Sequence, residues 1–437
     1  MAGYLPGTAD ERQAMLEAIG LKHPDELYAA IPKGLRASAL KLPNGVGEIE
    51  VSRAMRELAG RNAVYRSVFR GAGAYCHYIP SAVKSVPSRE EFVTAYTPYQ
   101  PELSQGVLQS IFEYQTMIAA LTGMDASNAS VYDGATAAAE ATAMCRERGR
   151  AEALISAAAD PMTIETIQTY LHAAGVPCRV VPAKDGRTDL DALSQMAGGG
   201  TACAYVQQPN YFGLIEDADE ACRLAPVAGA KFIMGVNPIA CALLRTPGEV
   251  GADIAVGAGQ PLGLPLSFGG PYLGFMAARG PLMRRLPGRI VGETQDGQGR
   301  RAFVLTLQAR EQHIRREKAQ SNICTNQALC AMKAGVYMAA MGPDGMAQVA
   351  ALCHDRAAYA AARLSGIPGF ERAHDGEFFH EFVTRCPIAP DALIARLAQR
   401  GILGGLPVNG GILWCVTEMN TRADIDELVD AVKEAVS

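Results

Sequence analysis

Two phenols and a carboxylate stand close together where the chain reads Tyr96-Thr97-Pro98-Tyr99-Gln100-Pro101-Glu102. Pro98 and Pro101 fix their own φ and bias the residues before them toward extended backbone, so the segment is stiff and preorganises its polar groups for contact. A plain loop entering a helix, with Ser104 or Glu102 near the cap, accounts for the same residues, and both readings stand at this point. A second candidate is Asp133-Gly134-Ala135-Thr136, between an extended segment and an alanine-rich helix. Backbone amides at such a helix start can hold an anion. A capped N-terminal turn with Asp133 as its cap explains it equally well.

Other chemistries are excluded by spacing. Gly257-Ala258-Gly259-Gln260-Pro261-Leu262-Gly263 has its third glycine one place late for a dinucleotide fingerprint, and Pro261 and Pro265 interrupt the helix that should follow. No phosphate-cradling P-loop motif is present. Eleven cysteines include no Cys-x-x-Cys, the nearest pair being Cys324 and Cys330, so no metal site is expected. The scattered Cys203, Cys241 and Cys415 suit buried, reduced thiols of a cytoplasmic protein. His374 and His380 flank Asp375 and Glu377 in what reads as a surface loop. A net charge of −5 argues against nucleic acid as a ligand, and no apolar run is long enough for a membrane span.

The elements that must position these groups follow from periodicity. At 437 residues the chain exceeds what one core usually supports. Thr8 to Glu11 is a capping box opening a short helix, and residues 23–35 suggest a second; with the proline-punctuated stretch after them they make an N-terminal arm, 1–65. Short β-rich runs at 153–156, 178–181, 202–206, 231–236, 254–256 and 273–277 alternate with helical patterns at 135–146, 164–174 and 218–227. That rhythm predicts a doubly wound, mainly parallel α/β sheet within a large domain, 66–326. A long helix near 327–341, strands at 378–383 and 412–417, and helices at 391–400 and from Thr421 predict a smaller α+β domain, 327–437.

The stretches 71–75, 96–106, 128–136, 267–274, 287–293 and 308–327 occur in an order, and with a detail, that resembles the P-protein of the glycine cleavage system. Within that family the chain is most similar to the alpha chain of the two-chain form. The resemblance implies a fold-type I pyridoxal-phosphate (PLP) transferase architecture. It implies a reaction in which glycine loses its carboxylate as CO2 and passes its aminomethyl group to the lipoyl disulfide of the H-protein. Such chemistry needs a lysine to carry PLP. Where the family's fold would place that lysine, this chain has Gln260; Asn237 stands where an aspartate would meet the ring nitrogen, and Asp160 where a stacking histidine would lie. Lys231 and Lys318 fall at the wrong points of the pattern.

The resemblance therefore implies a beta subunit that carries lysine and PLP in an α2β2 tetramer, with this chain lending groups across the interface. Tyr96 and Tyr99 are the expected catalytic contributors, with Glu102 shaping their loop. Ser321, Asn322 and Thr325 are expected to contact the partner's cofactor phosphate. Arg310, Arg315 and Arg316 read either as a solvated helix face, with Glu311 and Arg315 spaced i,i+4, or as a carboxylate clamp. Cys76 and Gln320 depart from the family's usual acidic residue and threonine. Two other functional classes stay open, a non-catalytic scaffold for the partner and a self-sufficient PLP enzyme.

Overall fold

The computed structural model describes residues 7–37, 42–94 and 96–436. Residues up to Ala63 form one compact unit and those from Val64 another. In the first, α1 (Ala9–Ala18) opens on the expected capping box: Thr8 accepts from the Glu11 amide at 3.2 Å and Glu11 takes the Thr8 amide at 2.7 Å. The single helix expected over 23–35 is instead two short 3-10 turns, Pro24–Tyr28 and Lys33–Leu35, with Pro32 between them. Proline disfavours helical geometry in the residue before it. The second helix, α2 (Glu48–Ala59), leaves Val51, Met55 and Leu58 exposed along one face.

The second unit is built on seven strands: β1 (Ala126–Ser127), β2 (Glu152–Ser156), β3 (Cys178–Val181), β4 (Thr201–Gln208), β5 (Lys231–Val236), β6 (Ile254–Ala258) and β7 (Gly274–Ala278). Their order is β1-β7-β6-β5-β4-β2-β3. From β6 to β3 every pairing is parallel, whereas β7 runs antiparallel to both neighbours. Helices α3 (Gln105–Thr122), α4 (Gly134–Cys145), α5 (Pro161–Ala173) and α6 (Ala218–Val227) cover the sheet. Alternation splits the strands' side chains between two cores: Phe232, Met234 and Phe275 join Tyr114 and Ile118 on one face, while Ile233, Val256 and Met276 meet the alanines of α4 on the other. Both faces are buried, which is why these strands read as continuous apolar runs.

The long helix α7 (Ala328–Ser365) is broken at Gly342, whose φ of 61° no helix accepts, just before Pro343. The expected end at 341 is therefore the break, and a second helical half continues beyond it. A hairpin that the sequence reading did not include, β8 (Ile290–Gln295) and β9 (Arg301–Thr306), packs on α3. The C-terminal part is a three-stranded antiparallel sheet of β10 (Glu381–Thr384), β11 (Leu406–Val408) and β12 (Gly411–Cys415), ordered β10-β12-β11. With α8 (Pro390–Gln399) and α9 (Arg422–Val436) it encloses a core around Trp414, Phe370, Phe382 and Leu428. Among the described residues no helix is long and apolar enough to cross a membrane.

Candidate active site

A cavity of about 420 Å³ opens at the carboxyl ends of β4, β5 and β6, where parallel α/β sheets gather their ligands. Tyr205 and Gln207 line it from β4, Gly235 and Asn237 from β5 and the turn after it, and Gly257 and Ala258 from β6. Asp160 enters from the turn after β2: its amide donates to Gln207 at 3.0 Å, and its Oδ1 caps α5 by accepting from Met162 at 3.0 Å. On the opposite side the 71–75 loop brings Tyr75, and β10 brings Glu381. Asp133 caps α4 through the Thr136 amide at 2.7 Å, as the sequence allowed. A Cβ on Gly134 would lie 2.8 Å from the Ala258 amide, so glycine there lets α4 abut the end of β6.

Glu381 is the centre of the wall. It is 3% exposed, takes the Ala72 amide at 2.7 Å on Oε1 and the Tyr75 hydroxyl at 2.9 Å on Oε2, and has its pKa pushed up to about 7 by burial. Burial likewise raises Asp160 and, well above the usual phenol, Tyr75. Beneath them lies a second polar group. Glu418 accepts from His77 Nδ1 at 2.8 Å, the Tyr78 amide at 2.7 Å and the Cys353 thiol at 3.2 Å. Burial alone would raise Glu418, but the His77 bond and charge outweigh it and leave its pKa lowered. The three side chains lie within 4.8 Å of one another, and their mutual hydrogen bonds give each a structural role.

His380 is a correction to the surface loop expected for it. It is 1% exposed, sits 3.4 Å from the Asn237 side-chain amide and packs against Tyr75 at 4.6 Å between ring centres with the rings tilted by 48°. Burial, with His77 nearby, lowers its pKa to about 3, so the ring is neutral. The sequence carries no signal for this cluster, because His77 and Glu418 are 341 residues apart.

Gln260, at the expected lysine position, does not line the cavity. It is 1% exposed and turned into the fold, accepting from the Tyr75 amide at 2.8 Å and donating to the Tyr75 and Leu264 carbonyls at 2.9 and 2.8 Å. Asn237 spends its Oδ1 on the Ile239 amide at 2.9 Å. Among the described residues no Lys, Arg or His lines the cavity, so its lining offers no amine to carry PLP. Lys231 lies at the start of β5, the end of the strand away from the cavity, 3.9 Å from Asp253.

The 96–102 loop lies elsewhere. Tyr96 is 85% exposed, and Tyr99, half-exposed, has its hydroxyl held by Arg289 at 2.6 Å with the guanidinium 5.1 Å from its ring. Arg289 is itself buried at the turn leading into β8. Glu102 is exposed and makes no hydrogen bond or ion pair among the described residues, and Ser104 occupies the N-cap of α3 without a side-chain bond. Ser321 and Asn322 line a second cavity with Glu140, whose pKa burial pushes up to about 7, and Thr325 is exposed. Neither group of candidates touches the first cavity.

The 308–318 segment is three short turns and not one helix, so the expected Glu311–Arg315 pair does not form. Arg310 is not solvated: it donates to the Leu286 carbonyl and, at 2.7 Å, to that of Gly288, pinning the turn that carries Arg289. Arg315 donates to the Ala309 carbonyl at 3.0 Å, and Arg316 is exposed. All eleven cysteines are free, with Cys203, Cys241 and Cys415 buried as expected.

Sheet order, helices on both faces and a cavity at the strand ends define the class of PLP-dependent transferases of fold type I. Glutamate decarboxylase of Lactobacillus brevis shares this fold, with a TM-score of 0.68 at 15% identity over 95% of this chain and 96% of that one. The chain belongs to the glycine cleavage system P-protein family, whose model matches residues 2–432. A relative named probable glycine dehydrogenase (decarboxylating) subunit 1, from Moorella thermoacetica, is 51% identical over 98% of this chain and 99% of its own. Its namesake in Desulforamulus reducens is 48% identical over 99% and 100%. A crystal structure of glycine decarboxylase (P-protein) of the glycine cleavage system, in inhibitor-bound form, superposes with a TM-score of 0.92 at 42% identity, covering 99% of this chain and 100% of that one.

Proposed function

We propose that this chain is the alpha subunit of a two-chain glycine dehydrogenase (decarboxylating) that works in the cytoplasm as an α2β2 assembly. The beta subunit carries PLP on its own lysine, and this chain completes the partner's site with the 96–102 loop. When bound there, PLP supplies the electron sink for glycine decarboxylation, and lipoylated H-protein receives the aminomethyl group. The observation that carries this reading is the contrast in one chain: a family cavity with neither lysine nor cationic side chain among the described residues, and a tyrosine loop anchored at Tyr99 by Arg289 while Tyr96 stays exposed.

Arg289 does two things for that loop. Its hydrogen bond to the Tyr99 oxygen fixes the ring, and a cation donating to a phenol oxygen makes the O–H a stronger donor to a group outside. Tyr96 is free to meet the partner, and Glu102 sets the approach. Ser321, Asn322 and Thr325, just before α7, are assigned to the partner's cofactor phosphate. Val51, Met55 and Leu58, exposed along one face of α2, support a protein partner, since exposed apolar faces mark interaction sites.

The test is glycine-dependent CO2 exchange with H-protein, run on this chain, on its partner and on the mixture. Activity in the mixture alone supports the assignment; full activity of the partner by itself refutes it.

A further inference from the structure

We propose that the cavity at the strand ends is a binding site for a small organic ammonium ion. Three carboxylates line it, Asp133, Asp160 and Glu381, and no Lys, Arg or His offsets them. Asp133 is committed to the Thr136 amide, which leaves Asp160 and Glu381 on facing walls. Asp160 Oδ2 has only the Thr163 hydroxyl, at 3.4 Å, and a Cβ on Gly73 would stand 3.7 Å from it, so this oxygen faces the 71–75 loop. Glu381 meets the same loop from the other side through Ala72 and Tyr75.

An independent observation points to a ligand. Tyr205 is 4% exposed, lines the cavity and has no hydrogen-bond partner for its hydroxyl among the described residues. The oxygen opens on the cavity, where it is available to a bound group. The fold has made room for it: Gly235 lies beneath, and a Cβ there would come 2.8 Å from the Tyr205 ring carbon that bears the hydroxyl. The carboxylate of Asp160 is near enough to act on the phenol, whose pKa is pushed up by burial and by that charge.

The remaining lining selects among cations. Tyr75, Tyr205 and Tyr272 offer aromatic rings, and Met162, Val236 and Pro238 offer apolar wall. Aromatic faces attract organic cations, and an ammonium group donates to carboxylate and phenol oxygens together. A cavity of about 420 Å³ holds a metabolite-sized amine. A phosphate or a phosphorylated cofactor would meet these carboxylates, with the Gly134 and Ala135 amides at the start of α4 as the groups on the walls that favour an anion. The inference concerns this chain's own cavity and stands whether or not the loop serves a partner.

Binding is measured on the purified full chain by titration calorimetry and ligand-observed NMR. The amines are methylammonium, ethanolamine and glycine; the controls are acetate, inorganic phosphate, PLP and Mg²⁺. The amines should bind and the controls should not. Asp160→Asn, which retains a cap for α5, should weaken amine binding at least tenfold, and Tyr205→Phe by threefold or more, with circular dichroism confirming the fold. If Asp160→Asn does not fold, Tyr205→Phe decides. The proposal is overturned by amines that show no saturation at ~10 mM, above the millimolar range of weak sites. Amine binding that neither substitution weakens, or phosphate, PLP or Mg²⁺ taken up in the amines' place, overturns it as well. Turnover enters none of these readouts, so failure here leaves the subunit assignment intact.

Discussion

The cavity at the strand ends and the 96–102 loop both gather tyrosines and carboxylates, yet the fold treats them in opposite ways. In the cavity the chain has turned its own groups inward: Gln260 ties down Tyr75, Glu381 is hydrogen-bonded to the same loop, and His380 is sealed beneath. On the loop it does the reverse, anchoring Tyr99 from behind with a buried arginine and leaving Tyr96 and Glu102 outside. The two regions are supported by different contacts. The cavity depends on the 71–75 loop and β10, while the tyrosine loop depends on the turn into β8 that Arg289 and Arg310 fix.

That separation can be broken experimentally, beginning where the largest response is expected. Gln260→Lys should not restore a cofactor, since the side chain points away from the cavity; it should strip three buried hydrogen bonds and bury a charge, costing about 3 kcal/mol. Denaturant unfolding measures the loss, and a visible absorption band on adding PLP would contradict the geometry.

Next is the pH dependence of Glu381→Gln. The wild-type carboxyl has its pKa raised from 4.5 to about 7, so the native state favours its protonated form. The stability it adds is fully present below 4.5 and is lost as pH rises through about 7. Glutamine cannot ionise, so between these limits the variant should gain on wild type by up to about 3 kcal/mol. Unfolding curves at pH 4.5, 6 and 8 test this, and a constant difference would show that the group does not titrate there. His380 acts with the opposite sign in both proteins, its contribution fading only as pH falls from 6.5 toward about 3.

Gly71→Ala drives a methyl into Glu381 and to 2.8 Å from the Cys415 Cβ, and should cost about 2 kcal/mol by overpacking. Catalysis in the assembled enzyme should survive this loss at temperatures where the variant is folded. The smallest free-energy change belongs to the loop: Tyr96→Phe should lower kcat about tenfold, near 1.4 kcal/mol, with assembly and stability unchanged, and Tyr99→Phe should lower it likewise while also costing stability, since it leaves buried Arg289 without its hydrogen bond. Normal turnover of both variants with the partner would leave only a scaffold role.

The parallel strands were legible because a strand buried on both faces must be apolar throughout, as β4 and β5 are. The direction of β7 was not, since its apolar run reads the same either way and only the path of the chain between Ala258 and Gly274 decides it. The β8–β9 hairpin carries a signal in the sequence, Asp296-Gly297 between two β-rich runs. Arg310, open in the sequence between a solvated helix face and a carboxylate clamp, is neither, because its partners are the Leu286 and Gly288 carbonyls, more than twenty residues away.

Residue types alone determined that Pro98 and Pro101 stiffen a segment rich in phenols, and the family resemblance adds that Gln260 stands at or near the place expected for a cofactor lysine. These are statements about composition at a place in the chain, and no packing can alter them. Only the tertiary structure decided that Gln260 faces away from the cavity, that a neutral His380 lies under Tyr75, that Arg289 backs Tyr99, and that Tyr205 is left without a partner. Each of those depends on atoms brought together from tens to hundreds of residues apart, and periodicity carries information over only a few turns of chain.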